Sequence, residues 1–268
     1  MIDKKQITAS GVCLFLVVFC LSFILFFTTK NGGNTVLTHS KPRTDWGLGF
    51  KKSGEQPTGN ASASFLKKYD SYFVGSKDTK TLYLTFDAGY ENGYTPKILD
   101  TLKKHNVKAA FFVVGTYLKS EPDLIRRMTE EGHIVGNHTL SHPDMSSMSN
   151  IDSFKKEISP VEDSYKKITG QDMKKFYRPP RGVFSELNLK FAKELEYKTI
   201  FWSLAYEDWK VNKQPAEGEA LKKLTSRIHP GAIILLHTTS ETNSKILDTF
   251  IEKTKEEGYR YSNLDNLV

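Results

Sequence analysis

The sequence predicts an α/β protein built on a parallel sheet and preceded by a long apolar segment. Two observations predict the sheet. After Lys80, short apolar runs rich in β-branched and aromatic residues alternate with longer amphipathic, charged runs. The chain has 268 residues, which is enough for one barrel or one large α/β domain. A third observation concerns function, because unusual polar residues directly follow the strand-like runs.

The N-terminal segment determines the compartment that we expect. Residues 6–29 carry no charge, and they are long enough to cross a hydrocarbon core as a helix. Lys4 and Lys5 precede them, so the positive-inside rule places the rest of the chain outside the cytoplasm. We therefore expect residues 1–30 to form a cytoplasmic tip and a single-pass membrane anchor. Cleavage of a signal peptide, with secretion of the domain, is the alternative.

A polar stretch follows the apolar segment. Residues 31–79 contain Gly-Gly, scattered prolines and Asn-Gly, a composition typical of a linker or a wrapping arm. Trp46, Leu48 and Phe50 indicate that part of this arm packs on the domain. The sequence therefore predicts that the catalytic domain occupies residues 80–268.

Composition and charge exclude several classes of protein. A hydrophobic content of 38% and a charged content of 26% are those of a globular rather than a disordered chain. The net charge of +7 fits either a lysine-rich surface or attraction to an anionic partner. Basic residues are not interleaved with aromatics, so we expect no nucleic-acid binding. Both cysteines, Cys13 and Cys20, lie in the apolar segment, which excludes a disulfide framework, and we expect a monomer.

The alternating runs define the predicted elements of the sheet. The predicted strands are Leu82–Phe86, Ala109–Val114, His133–Gly136, Lys175–Tyr177, Thr199–Leu204 and Ala232–Leu236. The predicted helices are Thr95–His105, Glu121–Glu131, Ile151–Thr169, Ser185–Leu195, Ala216–Ile228 and Ser244–Glu257. Pro96 suits a first helical turn, and Gly132, Gly170 and Gly258 suit helix ends.

Each unusual polar cluster follows one of these strands. In a parallel barrel, catalytic groups lie on the loops at the C-terminal ends of the strands. The clusters are Asp87, His138 with His142, Arg178, Asp208 with Trp209, and His237. The sequence therefore predicts that these side chains meet at one edge of the sheet.

The residue types in these clusters suggest chemistry, although each also has a structural explanation. Asp87 suits a general base or a metal ligand, or it caps a turn. His138 and His142 are spaced to share one face of a helical turn, as in zinc sites, or they are hydrogen-bonded loop histidines. His237 suits a proton donor, or it is a satisfied rim histidine. Arg178 lies beside two prolines and either points at Asp87 or lies on the surface.

Together these clusters resemble the NodB-homology polysaccharide deacetylases, carbohydrate esterase family 4. The resemblance covers about Lys80 to Asp265, where Thr-Phe-Asp-Ala, His-Thr-x-x-His, Arg-Pro-Pro-Arg-Gly, Glu-Asp-Trp and Leu-Leu-His occur in family order. The stretch from Thr85 to Pro96 is similar to one branch, the PdaA-type peptidoglycan N-acetylmuramic acid deacetylases of spore-forming bacteria. The resemblance implies a distorted (β/α)7 barrel.

The resemblance also implies a role for each matching residue. Asp87 would be the general base and His237 the general acid. His138 and His142 would hold a divalent metal, expected to be Zn²⁺. Arg178 would orient and ionise Asp87. Substrate-binding residues would be Arg181, Trp209, Leu235 and Asp208, with Trp209 and Leu235 forming the wall of the acetyl pocket.

Three positions depart from the family pattern. Ala88 replaces an aspartate that is a metal ligand, so we expect an incomplete ligand set. Arg181 replaces an aromatic residue. Ala205 replaces an aspartate that supports the catalytic histidine, so we expect this support to be missing.

The implied reaction is hydrolysis of the N-acetyl group of N-acetylmuramic acid in peptidoglycan strands. It would release acetate and serve muramic lactam formation in the spore cortex. An N-acetylglucosamine or chito-oligosaccharide deacetylase is one alternative. A non-catalytic wall-binding pseudoenzyme is another, because Ala88 and Ala205 remove groups that catalysis uses.

Overall fold

Thirteen short strands and eight helices alternate along residues 43–267, the part of the chain that the computed structural model describes. The strands are β1 Thr44–Asp45, β2 Leu48–Gly49, β3 Thr58–Gly59, β4 Ser71–Tyr72, β5 Thr81–Ala88, β6 Ala110–Val113, β7 Ile134–Asn137, β8 Phe176–Tyr177, β9 Val183–Phe184, β10 Lys198–Ile200, β11 Leu204–Ala205, β12 Ile233–His237 and β13 Arg260–Tyr261. The helices are α1 Ala63–Lys67, α2 Thr95–Lys104, α3 Gly115–Ser120, α4 Pro122–Glu130, α5 Ile151–Thr169, α6 Glu186–Glu194, α7 Glu217–Thr225 and α8 Glu241–Glu256.

The predicted membrane anchor lies outside the described residues. Within residues 43–267, no helix combines the length and the apolar character that crossing a bilayer requires.

The main sheet is parallel and curls towards a barrel. Its strands follow the order β11-β12-β5-β6-β7-β8-β10-β4, and β13 adds to β5. Only residues 201–203 separate β10 from β11, although the two strands lie near opposite ends of this order. One short stretch of chain therefore joins both ends of the sheet and curls it, as the (β/α) prediction requires.

Alternating side chains of β5 face two different layers. Leu82, Leu84 and Phe86 pack in the large apolar cluster that also contains residues of the outer helices. Tyr83 packs in a second, smaller cluster made by residues of the neighbouring strands. Side chains alternate along a strand, so Asp87 shares the inner face with Tyr83. The interior of the sheet therefore ends, at its C-terminal edge, in a carboxylate.

The predicted strand Thr199–Leu204 is interrupted in the structure. Phe201 donates its N–H to the carbonyl of Tyr72 at 2.8 Å, whereas Ser203 donates to the carbonyl of Ile233 at 2.9 Å. The chain thus changes neighbours within three residues, which breaks the ladder into β10 and β11. The local pattern of apolar residues could not reveal this change.

Caps fix the ends of the long helices. Helix α5 has the predicted bounds because the side chain of Asn150 accepts from the N–H of Ser153 at 2.9 Å and Gly170 ends the helix with a φ of 72°. Helix α8 begins at Glu241, three residues before the predicted start, because Ser240 accepts from the N–H of Asn243 at 3.1 Å.

The arm packs more closely than its composition suggests. β1 pairs with β9, and the ring of Trp46 lies 4.7 Å from that of Phe201, centroid to centroid. The indole of Trp46 donates to the carbonyl of Trp202 at 3.0 Å. Ser71–Tyr72 is itself a strand of the main sheet. Residues 43–79 therefore belong to the same compact unit as the residues that follow them.

Candidate active site

The register of the sheet places two predicted functional residues side by side. Asp87 is the Cα partner of His237 in the β5–β12 ladder. Both residues stand at the C-terminal ends of their strands, where a parallel barrel carries its site. They are far apart in the chain, so the fold alone creates this pair.

Arg178 lies buried beneath Asp87. Its Nη1 donates to Oδ1 of Asp87 at 2.8 Å, and its Nη2 donates to Oγ1 of Thr85 at 2.9 Å. Its Nε donates to the carbonyl of Ile200 at 3.0 Å, and its guanidinium carbon lies 4.2 Å from the ring centroid of Phe112. These contacts satisfy a charge that burial would otherwise make costly. Arg178 therefore points at Asp87, which is one of the two predicted orientations.

The surroundings of Asp87 keep its carboxylate ionised. Burial alone would raise the pKa of Asp87, but the charge and hydrogen bond of Arg178, together with the charge of His237, outweigh burial and hold that pKa below its usual range. An ionised carboxylate at neutral pH can accept a proton. This is the property that a general base needs.

His237 is held by Asp208, and this corrects two predictions. Nδ1 of His237 lies 2.7 Å from Oδ1 of Asp208, and the N–H of His237 donates to Oδ2 at 2.8 Å. Asp208 is fully buried and does not line the cavity, so the structure places it beside His237 rather than in the cavity wall where a substrate-binding residue was expected. The support expected to be missing at Ala205 is present, because Asp208 provides it.

Asp208 sets the protonation of His237. A carboxylate only accepts, so Nδ1 of His237 carries the proton of this hydrogen bond and Nε2 is the second ring nitrogen, available for proton transfer. Burial would lower the pKa of His237, but the charge and hydrogen bond of Asp208, together with Asp87, outweigh it and raise that pKa. A raised pKa favours the protonated ring that a general acid requires.

Asn243 supports this pair, although nothing in the sequence indicated it. Its Nδ2 lies 2.6 Å from Oδ2 of Asp208 and 3.1 Å from the carbonyl of His237. Its side-chain oxygen accepts from the hydroxyl of Tyr206. Asn243 lies in the first turn of α8, and only the packing of that helix brings it to the site.

A loop, rather than the predicted helical turn, brings His138 and His142 together. Thr139 and His142 adopt positive φ angles of 72° and 59°. Oδ1 of Asn137 accepts from the N–H of Thr139, and Oγ1 of Thr139 accepts from the N–H of His142, both at 2.9 Å. The two imidazole centroids lie 4.9 Å apart. Strained backbone that hydrogen bonds hold in place is typical of functional sites.

The donor set around His138 fits a divalent cation. Nδ1 of His138 donates to the carbonyl of Arg178 at 2.8 Å, and burial lowers the pKa of His138 to about 4, so the ring is neutral and its Nε2 is a free acceptor. That Nε2 faces Oδ2 of the ionised Asp87 at 3.4 Å. A cation bound at Nε2 of His138 would relieve the repulsion between these two acceptors. The imidazole of His142 lies beside His138, so the two rings offer nitrogen ligands of the kind that zinc takes.

Ala88 contributes no ligand to this set. It is fully buried, and it packs in the apolar cluster between β5 and the helices. The expectation of an incomplete ligand set is consistent with this position.

A second histidine–carboxylate group lies elsewhere on the described surface and is not part of the site. His105, Asp248 and Glu252 lie close enough to share an ion. However, the ammonium of Lys104 lies 2.7 Å from Asp248 and 3.8 Å from Glu252. Lys104 already pairs with both carboxylates and offsets part of their charge, which weakens their attraction for a metal ion.

The structure has a cavity of about 530 Å³ at this site, and its lining includes Asp87, His138, His142 and His237. Its walls contain the predicted substrate residues Arg181, Trp209 and Leu235. The ring of Trp209 lies 5.7 Å from that of His237. Residues that line the cavity but were not predicted to do so are Gly89, Tyr90, Trp202 and Thr239. A volume of this size accepts a sugar unit with its acetamide group.

Known proteins are similar to this chain in sequence and in fold. The family model described as polysaccharide deacetylase matches residues 74–200. The peptidoglycan-N-acetylmuramic acid deacetylase PdaA of Bacillus subtilis is 45% identical over 239 residues, which are 88% of this chain and 90% of that one. Its solved structure, that of a family 4 carbohydrate esterase, matches with a TM-score of 0.80 and covers 84% of this chain and 96% of that chain.

Two further relatives define the alternatives. A peptidoglycan-N-acetylglucosamine deacetylase of Bacillus cereus is 35% identical over 76% of this chain and 74% of its own length. A solved structure of a CE4 family pseudoenzyme from Bacillus anthracis is 32% identical, with a TM-score of 0.68, and covers 74% of this chain and 68% of that one.

Proposed function

The chain belongs to the polysaccharide deacetylases of carbohydrate esterase family 4 and is a hydrolase, and from this premise we propose that it removes the N-acetyl group of N-acetylmuramic acid in peptidoglycan. One observation supports the reaction above all others. Asp87, which Arg178 holds by a hydrogen bond, and His237, which Asp208 holds through Nδ1, stand side by side at one cavity.

In the proposed mechanism, these two groups move protons in opposite directions. Asp87 accepts a proton from the water that attacks the acetyl carbonyl carbon, and a C–O bond forms. His237 then donates its Nε2 proton to the amide nitrogen as the C–N bond breaks. Acetate leaves, and the sugar keeps a free amine. One water is therefore consumed for each acetyl group. Arg178 stabilises Asp87 as the anion that can accept the proton.

We assign a metal site to the two neighbouring histidines of the loop after β7, His138 and His142. His138 and His142 would hold a divalent cation, which we propose to be Zn²⁺, and it would supply Lewis-acid polarisation of the acetyl carbonyl. The protein fixes Nε2 of His138 as the free acceptor through its hydrogen bond to the carbonyl of Arg178.

Arg181 supports muramic acid as the substrate. Muramic acid differs from glucosamine by a lactyl group that ends in a carboxylate or in the attached peptide. Arg181 lines the cavity, its side chain is 54% exposed, and its nearest carboxylate, Asp144, is 3.9 Å away. A guanidinium so weakly engaged can bind a substrate carboxylate in a bidentate manner.

Replacing Arg181 with alanine should therefore change substrate preference. We expect kcat/KM on muramyl substrates to fall about tenfold or more, the loss of one charge-assisted contact. On chito-oligosaccharides, which lack the carboxylate, the change should be smaller than about twofold by the same reasoning. Acetate release from both substrates measures this, and Lys210→Ala serves as a surface control. Equal losses on both substrates would contradict the proposed contact between Arg181 and the lactyl carboxylate.

The acid–base pair also predicts a bell-shaped pH dependence of kcat/KM. Asp87 must be ionised, and its lowered pKa keeps it so down to pH values below the usual carboxyl range. His237 must be protonated, and its raised pKa carries activity above the usual histidine range. Asp208→Asn removes the charge that raises the pKa of His237, so the basic limb should move to lower pH by about 1 unit or more. A basic limb that stays in place would assign the acid to another group.

A wall-binding pseudoenzyme is the competing function, because Ala88 brings no metal ligand and a relative of this kind exists. Binding alone would not require a buried Arg178 that keeps Asp87 ionised or an Asp208 that stabilises the protonated form of His237. For location, we propose that residues 1–30 anchor the chain and that the domain faces the cell wall, where it would serve muramic lactam formation in spore cortex. Fractionation of cells with an antibody to the domain tests the anchor.

A further inference from the structure

We propose that Tyr90 is a glycan-binding residue that stacks on a sugar neighbouring the unit that loses its acetyl group. The inference rests on the proposed function in that it takes a glycan strand as the substrate. It adds a binding subsite beside the catalytic centre, whose ligand is the apolar face of a pyranose ring.

The exposure of Tyr90 is the first argument. Among the described residues, five large hydrophobic side chains are exposed, and Tyr90 is the most exposed of them, at 53%. Only Tyr90 and Trp209 of these five line the cavity. An aromatic ring that water contacts at the mouth of a site is typical of a binding surface, since a ring with a polar tip suits partly wet interfaces.

The order of the sheet provides the second argument. β5 and β11 lie on either side of β12, the strand that ends in His237. Tyr90 follows β5 and Trp209 follows β11, so the two rings belong to loops on opposite sides of the catalytic histidine. A linear glycan whose reacting unit lies at His237 would extend past one of these loops. Tyr90 is therefore placed for the neighbouring sugar rather than for the acetyl group itself.

Hydrogen bonds of the two residues after Tyr90 hold the loop that carries it, which is the third argument. Oε1 of Glu91 accepts from the N–H of Thr95 at 3.2 Å, and Oε2 accepts from the hydroxyl of Tyr117 at 3.1 Å. Nδ2 of Asn92 donates to the carbonyl of Thr239, a residue of the cavity wall, at 3.2 Å. A fixed backbone presents the ring with little entropy left to lose on binding.

The test compares chain lengths with the full chain as the enzyme. The substrates are the monosaccharide N-acetylmuramic acid and a tetrasaccharide of alternating N-acetylglucosamine and N-acetylmuramic acid. Tyr90→Ala should raise KM for the tetrasaccharide about tenfold, the effect of one aromatic contact, with kcat within about twofold. KM for the monosaccharide should change less than about twofold, because it has no neighbouring sugar to occupy the subsite. Tyr90→Phe keeps the ring and should restore the tetrasaccharide KM.

Phe50→Ala is the matched control, since Phe50 is also an exposed aromatic residue but lies outside the cavity wall. It should leave both KM values unchanged. An unchanged tetrasaccharide KM in Tyr90→Ala would overturn the subsite, as would an equal rise for both substrates. Thermal unfolding of each variant excludes a folding defect as the cause. Absence of acetate release by the unmodified chain on either substrate would instead overturn the proposed function.

Discussion

Replacing Asp87 with asparagine should lower acetate release by about 10²–10⁴-fold, the contribution of a positioned general base. Asparagine keeps the shape of the side chain and can still accept the hydrogen bond from Arg178, but it cannot take a proton from water. Initial rates of acetate release on muramyl strands measure the effect. Because the geometry is kept, KM should change much less than kcat.

A matched control separates this loss from a general effect of removing a carboxylate. Asp248 bonds Lys104 and His105 on the surface, and it does not line the cavity. Asp248→Asn should retain activity within about twofold, as surface substitutions usually do. Asp87→Asn with appreciable turnover would remove Asp87 from the role of base.

Replacing Arg178 with methionine should lower the free energy of unfolding more than any other substitution proposed for this chain. The guanidinium is fully buried, and its removal leaves the carboxylate of Asp87 without its partner. Breaking a buried ion pair from one side costs about 3–5 kcal/mol. The pKa of Asp87 should rise in the variant, so activity at neutral pH should fall as well. Urea unfolding gives the free energy, and acetate release gives the activity.

Arg127→Met provides the comparison for Arg178. Arg127 pairs with Asp100 and Glu131, but its side chain is 29% exposed. Water can replace its partners, so its loss should cost about 0–1 kcal/mol. If Arg178→Met and Arg127→Met destabilise the chain equally, the buried Arg178–Asp87 pair contributes no more to stability than a partly exposed ion pair.

The sequence predicted most of the sheet because strand periodicity and apolar content are local properties. It also predicted which residues meet, because each candidate catalytic side chain lies at or just after the end of a strand. The positions of Asp87 and His237 then follow from parallel pairing alone. Local caps likewise allowed the bounds of α5 to be predicted.

The partner of His237 could not be predicted in this way. Asp208 reaches His237 only because the chain after β11 turns back beneath β12 and α8 adds Asn243. No spacing rule connects these three residues, so the motif position Ala205 was a misleading guide. The same limit applies to the His138–His142 loop, where hydrogen bonds from Asn137 and Thr139, rather than helical periodicity, set the geometry.

The most direct test of the central claim is mass spectrometry of purified peptidoglycan strands after incubation with the full chain and, in parallel, with Asp87→Asn. The proposed function predicts that muramic acid units lose their acetyl groups, with one acetate released for each, and that Asp87→Asn leaves the strands unchanged. Strands that keep every acetyl group after incubation with the unmodified chain, although it binds them, would contradict the deacetylase assignment.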